Sequence, residues 1–493
     1  MLCSKQIIFL LLLLWCQSVC LSKTAFTDLR KRETKPTPTP VPVPVPPPPA
    51  GPDLISQLPD SILHSILSLL PIKDAVRTSA LSSRWRPLWK AAPLRLDDDS
   101  FSPDTNDPYY ACYYRVVSDP RFDSSRKAVF RIFDSHHGPI ESLRLSLFYP
   151  FKMDRFVETA VRRGIRGLNL VPFDFHHETY KLPLSLLFCN TLNQLSLQNC
   201  TFPQALLPSI FPNLRELRIK CVSLPDDLLP KCASLETLLI STSDEGPPIS
   251  ISSPSLRKLV FGSVSSRAEL IIKDAPNLES LMLADISTYD NKVKILHAPK
   301  LQRLGFINTD VRAIQLGRTL IERHKESLRS LPPTYLVNVA PCRVNLLSSV
   351  KTLAIKMELF SEKTIPIILK CFPCLENLDI VKYEGNGDDC YLNKGMWEEE
   401  GSLSFLDHLK TVIVKGFWGD QCDVELLRYL VVHGKVLQTI TLLCSKHITK
   451  KFVDIKKRQI CIENRASSNL ALVFFRDTEE NVHFSLWNDM ICY

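Results

Sequence analysis

Glycine is scarce, at 15 of 493 residues. That excludes collagen-like arrays and argues against folds built on glycine-rich phosphate loops. Catalytic signatures are also missing: no G-x-S-x-G, HExxH or Walker pattern occurs anywhere in the chain. The only CxxC is Cys371–Cys374, with no second pair and no histidine cluster beside it, which excludes a zinc-ribbon arrangement. A dense basic stripe is absent as well. The 60 basic against 52 acidic residues leave a net charge of +8 spread over the whole length, too dilute for a nucleic-acid footprint. The one strongly apolar run, Ile7 to Trp15, is too short to cross a bilayer comfortably.

What remains is the composition of a folded protein, 45% hydrophobic and 23% charged with mean hydropathy +0.01. The N-terminus and the cysteines point to different compartments. Lys5, the apolar run and Ser18-Val19-Cys20 have the layout of a secretory signal peptide over residues 1–22. Against secretion, Cys189, Cys200, Cys221, Cys232 and Cys371 sit at the edges of leucine-rich stretches, as small packing residues do, and read as reduced thiols. The single N-x-[ST] sequon, Asn199-Cys200-Thr201, falls where a strand ends rather than on an open loop. Both routes stay open on these grounds: cytoplasm or nucleus, or the secretory route if the leader functions.

Ten of the 36 prolines lie between Pro36 and Pro52. The alternation of Pro with Thr or Val favours extended polyproline II, so residues 23–52 read as a semi-rigid spacer or a ligand for SH3- or WW-like domains. From Asp53 to Asp98 the pattern becomes helical. Leu58, Ile62, Leu63, Ile66, Leu67 and Leu70 fall on one broad face, Pro59 suits a first turn, and Pro71 closes the segment. A short helix at Asp74 to Ala80 and another carrying Trp85, Leu88 and Trp89 complete a three-helix unit. It is too small for a sizeable core of its own and should lean on a neighbour.

The rest of the chain repeats L-x-x-L-x-L. Copies begin at Ile140, Ile165, Leu192, Leu214, Leu235, Leu256, Leu278, Leu301, Val350, Leu375 and Leu409, with spacings of 22, 21, 21, 22 and 23 residues from Leu192 to Leu301. Pro212, Pro254, Pro276, Pro299 and Pro373 each stand two residues before a copy and fix how the chain enters it. Such a unit cannot bury its leucines alone, so the copies must stack into a curved solenoid. Between Leu301 and Val350 the spacing opens to 49, room for a degenerate repeat or a helical insertion around Arg318 to Leu331.

These residues resemble the plant F-box/FBD/leucine-rich-repeat family. The string LPDSILHSILSLLPIKDAVRTSALSSRWRPLWK resembles its F-box, with Ser83 where a basic residue is common. VETAVRRGIRGLNL and YKLPLSLLFCNTLNQLSL resemble its linking segments, and FLDHLKTVIVKGFWGDQCDVELLRYLVVHGKVLQTITLL resembles its FBD module. The expected fold class is α+β: a small three-helix F-box over 53–98, an α/β leucine-rich-repeat solenoid over 99–400, and a C-terminal FBD module over 401–475, followed by a tail, 476–493.

The resemblance implies a non-catalytic receptor subunit of an SCF-type ubiquitin ligase. Its F-box would bind a Skp-family adaptor and through it a cullin, and its repeats would bind a target protein. No cofactor, nucleic acid or membrane enters that reading. The expected adaptor-binding residues are Leu58, Pro59, Ile62, Leu63, Ile66, Leu70, Val76, Leu81, Trp85 and Trp89, an apolar set larger than so small a unit should bury.

For the target, the residue between the last two leucines of each copy points out of the concave sheet. That column reads Ser196, Arg218, Leu239, Val260, Met282 and Gly305. Two readings follow. Either Leu239, Val260 and Met282 form an apolar docking stripe with Arg218 and Arg303 at its rim, or a loop or the FBD module covers them or the strand register is shifted. The competing class is a secreted or membrane-associated leucine-rich-repeat binding protein, supported by the leader. Elsewhere, His136-His137 and His176-His177 make poor joint ligands, since adjacent residues on a strand face opposite ways. The Lys450-Lys451 and Lys456-Lys457-Arg458 runs read as a solvated basic face or an import signal.

Overall fold

The computed structural model describes residues 55, 57–102, 120–172, 179–203, 210–242, 247–263, 268–284, 291–308, 313–316, 319–322, 346–357, 364–382, 404–444 and 449–476. The leader, the proline tract, His176-His177 and residues 477–493 of the tail lie outside them. Two units divide the chain, Met1–Leu58 and Pro59–Tyr493. In the first, the described residues end in a turn in which Leu58 N donates to Ile55 O at 3.1 Å.

The second unit opens with three short helices, α1 (Asp60–Leu69), α2 (Ile72–Arg77) and α3 (Trp85–Ala91). Pro59 and Pro71 precede the first two, where a missing N–H costs nothing. Each later repeat supplies one strand to a main sheet and a return segment behind it. The N-terminal strands are β1 (Leu94–Asp97), β2 (Ile140–Leu145), β3 (Gly167–Leu170), β4 (Tyr180–Lys181), β5 (Gln194–Gln198), β6 (Cys200–Thr201) and β7 (Glu216–Lys220). The middle strands are β8 (Thr237–Thr242), β9 (Ile249–Ser252), β10 (Lys258–Ser263), β11 (Glu269–Asp274), β12 (Ser280–Ala284), β13 (Lys292–Ile295), β14 (Arg303–Asn308), β15 (Ala313–Leu316) and β16 (Thr319–Glu322). The last are β17 (Thr352–Met357), β18 (Asn377–Lys382), β19 (Thr411–Phe417), β20 (Thr439–Cys444) and β21 (Ala471–Arg476).

Fourteen of these form one parallel sheet in the order β1-β2-β3-β5-β7-β8-β10-β12-β14-β17-β18-β19-β20-β21. The repeat leucines, such as Leu192, Leu195 and Leu197, point behind it into one continuous core. The return segments are helical at the two ends, as in α4 (Pro120–Ser135), α5 (Asp154–Arg162), α6 (Leu184–Leu187), α7 (Leu228–Lys231), α8 (Thr364–Lys370), α9 (Gln421–His433) and α10 (Lys450–Gln459). In the middle they are strands, and a second sheet of order β16-β15-β13-β11-β9 backs the first. Part of the 49-residue interval is therefore an antiparallel hairpin, β15–β16, and the rest lies outside the described residues.

Two ladders hold neighbouring repeats in register. The residue after the first leucine donates its N–H to its counterpart one repeat back: Glu236 to Arg215, Arg257 to Glu236 and Glu279 to Arg257, each at 2.8–2.9 Å. Side chains in this row alternate in charge, with Arg257–Glu279 at 2.7 Å and Lys351–Glu376 at 2.9 Å. The residue before that leucine bonds back through its side chain. Asn213 Nδ2 reaches Asn190 O and Asn277 Nδ2 reaches Pro254 O, both at 2.6 Å, and Ser234 Oγ reaches Pro212 O at 2.7 Å. Exposed ion pairs contribute little singly, so the register rests on the backbone ladder and the leucines.

The helical unit is fastened to the solenoid at a tight joint. Lys90 O, at the end of α3, accepts N–H bonds from His137 and Gly138 at 2.9 Å, and His136 Nε2 donates to Ala92 O at 2.8 Å. A Cβ on Gly138 would lie 2.4 Å from Ala91 O, so no other residue fits there without moving the backbone. Just beyond, the fully buried Asp98 accepts from Ser146 N, Ser146 Oγ and Leu147 N, all at 2.8 Å. Burial pushes its carboxyl up, and these donors pull it back.

Candidate functional site

Two surfaces follow from this architecture, one on the helical unit and one on the concave face of the main sheet.

On the helical unit, α1 packs against α3 and divides its apolar residues between two faces. Leu63, Ile66 and Leu67 are buried, together with Trp85, Leu88 and Trp89 of α3. The outer face carries Ile62, Ser65 and Leu69 at i, i+3 and i+7, and Ile62 and Leu69 are 43% and 55% exposed. Pro59 is exposed beside them, and Asp60 pairs with Arg84 at 2.6 Å.

This corrects the expectation that the whole apolar set lies open. Leu63, Ile66, Trp85 and Trp89 are the unit's own core. The unit needs less outside cover than its size suggests, because Ile72 joins the solenoid core and Val76 packs on it. Leu70 is half-buried and lines the crevice between the helices and β1, and Leu58 and Leu81 are half-buried too. Leu69 was missed. Its signal was present in the sequence, seven residues after Ile62 on the same helical face.

On the concave face, the expected column is real and longer than six residues. It runs Asp97, Arg144, Asn169, Ser196, Arg218, Leu239, Val260, Met282 and Gly305, each paired with the next across adjacent strands. Its middle is not an open stripe, however. Leu239, Val260 and Met282 are only 6%, 2% and 4% exposed and form a second apolar cluster with Ala354 and Val381. Next to it, β14 slips against β17 after Leu304, and Phe306 takes a left-handed backbone with φ 57°. Phe306 packs against that cluster. Arg303 lies one row aside, half-buried, with Nε donating to Ser280 Oγ at 2.8 Å.

The open part of the face lies nearer the helical unit. A cleft of about 330 Å³ crosses β1, β2, β3, β5 and β7, and Ser196 and Arg218 of the expected column line it, Arg218 being the member expected at the rim of the docking stripe. Its polar lining includes Arg95, Asp97, Arg144, Asn169 and Glu216. Arg95 holds Glu141 with two bonds of 2.9 Å, which raise the guanidinium and lower the carboxyl. Arg218 Nε donates to Glu216 at 2.6 Å.

Burial pushes the Cys200 and Cys232 thiols up to about 12 and Cys371 to about 11, so these sulfurs stay protonated at neutral pH. Among the described residues no group of three His, Cys, Asp or Glu side chains could hold a metal, and no helix is long and apolar enough to cross a membrane.

The Gly416-Phe417-Trp418-Gly419 motif has a structural meaning. Gly416 and Gly419 have φ of +73° and +71°, and a Cβ on Gly416 would meet Lys382 O at 2.4 Å. The turn so made lets Asp423 accept from Trp418 N at 3.1 Å and Gly419 N at 2.9 Å, while Asp420 caps α9 by accepting from Asp423 N at 2.7 Å. Lys382 Nζ binds Asp423 at 2.7 Å and Asp420 at 3.0 Å. Burial alone would lower the Lys382 ammonium, but the two carboxylates outweigh it and raise it. This region continues the main sheet as β19 and β20, so the module forms late repeats of the solenoid.

Comparison with known proteins agrees with this division. Family models match an F-box domain over residues 55–96, the LRR repeats of FBD-associated F-box protein At5g56370 over 153–380, and an FBD over 403–442. The Arabidopsis thaliana F-box/FBD/LRR-repeat protein At4g00160 is 27% identical over 468 residues, 88% of this chain and 96% of its own. The Arabidopsis F-box/FBD/LRR-repeat protein At3g52680 is 27% identical over 86% of this chain and 93% of its own. Among solved structures, an internalin (inlF) from Listeria monocytogenes aligns with a TM-score of 0.27 at 14% identity, covering 65% of this chain and 83% of that one. The fold assignment rests on the sheet order and not on that likeness. An F-box joined to leucine-rich repeats supports a role as an F-box substrate-recognition subunit in general. With all three domains matched in this order, the chain belongs to the plant F-box/FBD/leucine-rich-repeat family.

Proposed function

We propose that this protein is the target receptor of an SCF-type cullin–RING ubiquitin ligase. The α1 face bearing Pro59, Ile62 and Leu69 docks a Skp-family adaptor, the adaptor engages a cullin, and the concave cleft holds the target protein. The chain breaks and forms no bond itself. It brings a target lysine to the charged ubiquitin carrier and so raises the effective concentration of the reactants. The observation that carries the reading is the exposed Ile62–Leu69 ridge on a helix whose other apolar residues are already buried. Aliphatic side chains left out on one helical face of an F-box are suited to a partner helix or groove.

Rigidity also supports it. The joint at His136, Gly138 and Asp98 fixes the helices against the first repeats, so a target bound in the cleft is held at a set distance from the adaptor. Affinity capture of the tagged chain under proteasome inhibition tests the proposal. Adaptor and cullin should be recovered with the intact chain and lost with Ile62→Asp plus Leu69→Asp; recovery of neither with the intact chain overturns it. A second reading, a secreted leucine-rich-repeat binding protein, draws on the leader from Ile7 to Cys20. Mass spectrometry of the mature N-terminus separates the two, since only the secreted form loses that segment.

A further inference from the structure

The concave cleft has three arginines and two carboxylates along its lining, and the arginines are not equivalent. Arg95 is held by Glu141 through two bonds of 2.9 Å, and Arg218 by Glu216 at 2.6 Å. Gln194 Nε2 also donates to Glu216, at 3.2 Å. Arg144, at the centre, is held loosely. Its Nε, itself a buried atom, lies 3.7 Å from Asp97 and makes no hydrogen bond among the described residues, and its Nη2 reaches Asp99 only at 3.4 Å. Its side chain is 42% exposed. Beside it in the same column, Asn169 Oδ1 is also without a partner among the described residues, and the hydroxyl-bearing Ser196 comes next.

We propose that Arg144 anchors a carboxylate side chain of an extended acidic segment of the target protein laid across this cleft. The inference rests on the receptor reading above. A guanidinium is built for bidentate capture of a carboxylate, and a planar pair of short bonds would replace two contacts that are long for a charged pair. The occupant is an extended segment because the cleft crosses five neighbouring strands. Four spacings of about 4.8 Å make roughly 19 Å, the length of about six extended residues. It is acidic because Arg95 and Arg218 are taken up by short bonds to Glu141 and Glu216, while the contacts of Arg144 to Asp97 and Asp99 are the longest of the three.

The test presents a random linear peptide library to the immobilised full-length chain. Selected peptides should be enriched in Asp or Glu, and Arg144→Glu should abolish that enrichment or convert it to Lys and Arg. A fluorescent peptide from the selected pool should bind Arg144→Gln at least about tenfold more weakly, the loss expected for one charge-assisted pair. Ser196→Glu leaves the Arg144–Asp97 pair in place and adds a carboxylate to the cleft, so it should weaken the same peptide even if Arg144→Glu folds poorly. Selection without acidic enrichment, or the same peptides from Arg144→Glu and Ser196→Glu as from the intact chain, overturns the inference. Adaptor binding measured on the same preparations separates the two ideas. If the adaptor binds and acidic peptides do not, only the cleft assignment fails; if acidic peptides bind and the adaptor does not, the receptor reading fails.

Discussion

Acid should open the joint between the helices and the solenoid through one side chain. His136 is fully buried, its Nε2 bonded to Ala92 O at 2.8 Å and its Nδ1 without a partner among the described residues. A second proton would therefore place a buried N–H, and a charge, with no acceptor. Burial lowers its pKa from 6.5 to about 4, with Arg163 and His137 adding repulsion and the Ala92 carbonyl working the other way. Because the folded value lies below the unfolded one, the unfolded chain takes up the proton first. Stability is then lost as pH falls from about 6.5 to about 4 and levels off below. At pH 4.5 the loss from this one group is about 2.5 kcal/mol, from the two pKa values and 1.36 kcal/mol per unit.

The comparison variant is His136→Gln, whose amide can still donate to Ala92 O and does not titrate. Urea unfolding at pH 7.5 and 4.5 should show the intact chain losing about 2.5 kcal/mol more than the variant. Hydrogen exchange in α3 should accelerate in the intact chain alone. Equal acid losses in both would refute the assignment of a buried neutral imidazole at this joint.

Three further outcomes follow from the same geometry. Met282→Asp should cost about 3 kcal/mol or more, because it buries a carboxylate among Leu239, Val260 and Ala354; a change within ~0.5 kcal/mol in urea melts would mean that the stripe is open after all. Lys382→Met should cost about 3–5 kcal/mol by leaving Asp420 and Asp423 without their cation, and hydrogen exchange should rise first in α9 and the Trp418–Gly419 turn. Glu376 is held down to about 2 by Lys410 and then Lys351, so its small contribution is present above pH 4.5 and fades as pH falls toward 2. Being partly exposed and screened, it amounts to about 0.5 kcal/mol, read as the difference between intact chain and Glu376→Gln at pH 6 and 3, and it should vanish in high salt.

The repeat was legible because three leucines in six residues cannot be satisfied except by stacking, so copies such as those at Leu192 and Leu214 gave strand position and facing correctly. The concave column from Ser196 to Gly305 followed from the same period. Its burial did not, because the cluster brings in Ala354, Val381 and Phe306, residues distant in sequence that no local pattern places beside Leu239. The helices were legible as amphipathic, but how their apolar residues divide between core and surface depends on α3 packing on α1, a pairing distant in sequence. That is why Trp85 and Trp89 were placed outside and Leu69 passed over. Arg144 and Asn169 were legible as the residues between the last two apolar positions of the copies at Ile140 and Ile165, but the column was read only from Ser196 onward; Asp97 was not legible, because β1 carries no full repeat. The roles of Asn213, Ser234 and Asn277 were visible at a fixed offset before each leucine, and their meaning emerges once neighbouring repeats lie side by side.

The most direct test of the receptor account is isothermal titration of the full-length chain with a purified Skp-family adaptor. The account predicts saturable binding by the intact chain and a loss of about 100-fold or more in Ile62→Asp plus Leu69→Asp, with the thermal unfolding of the variant unchanged. No binding by the intact chain, or equal binding by a folded double variant, would contradict it.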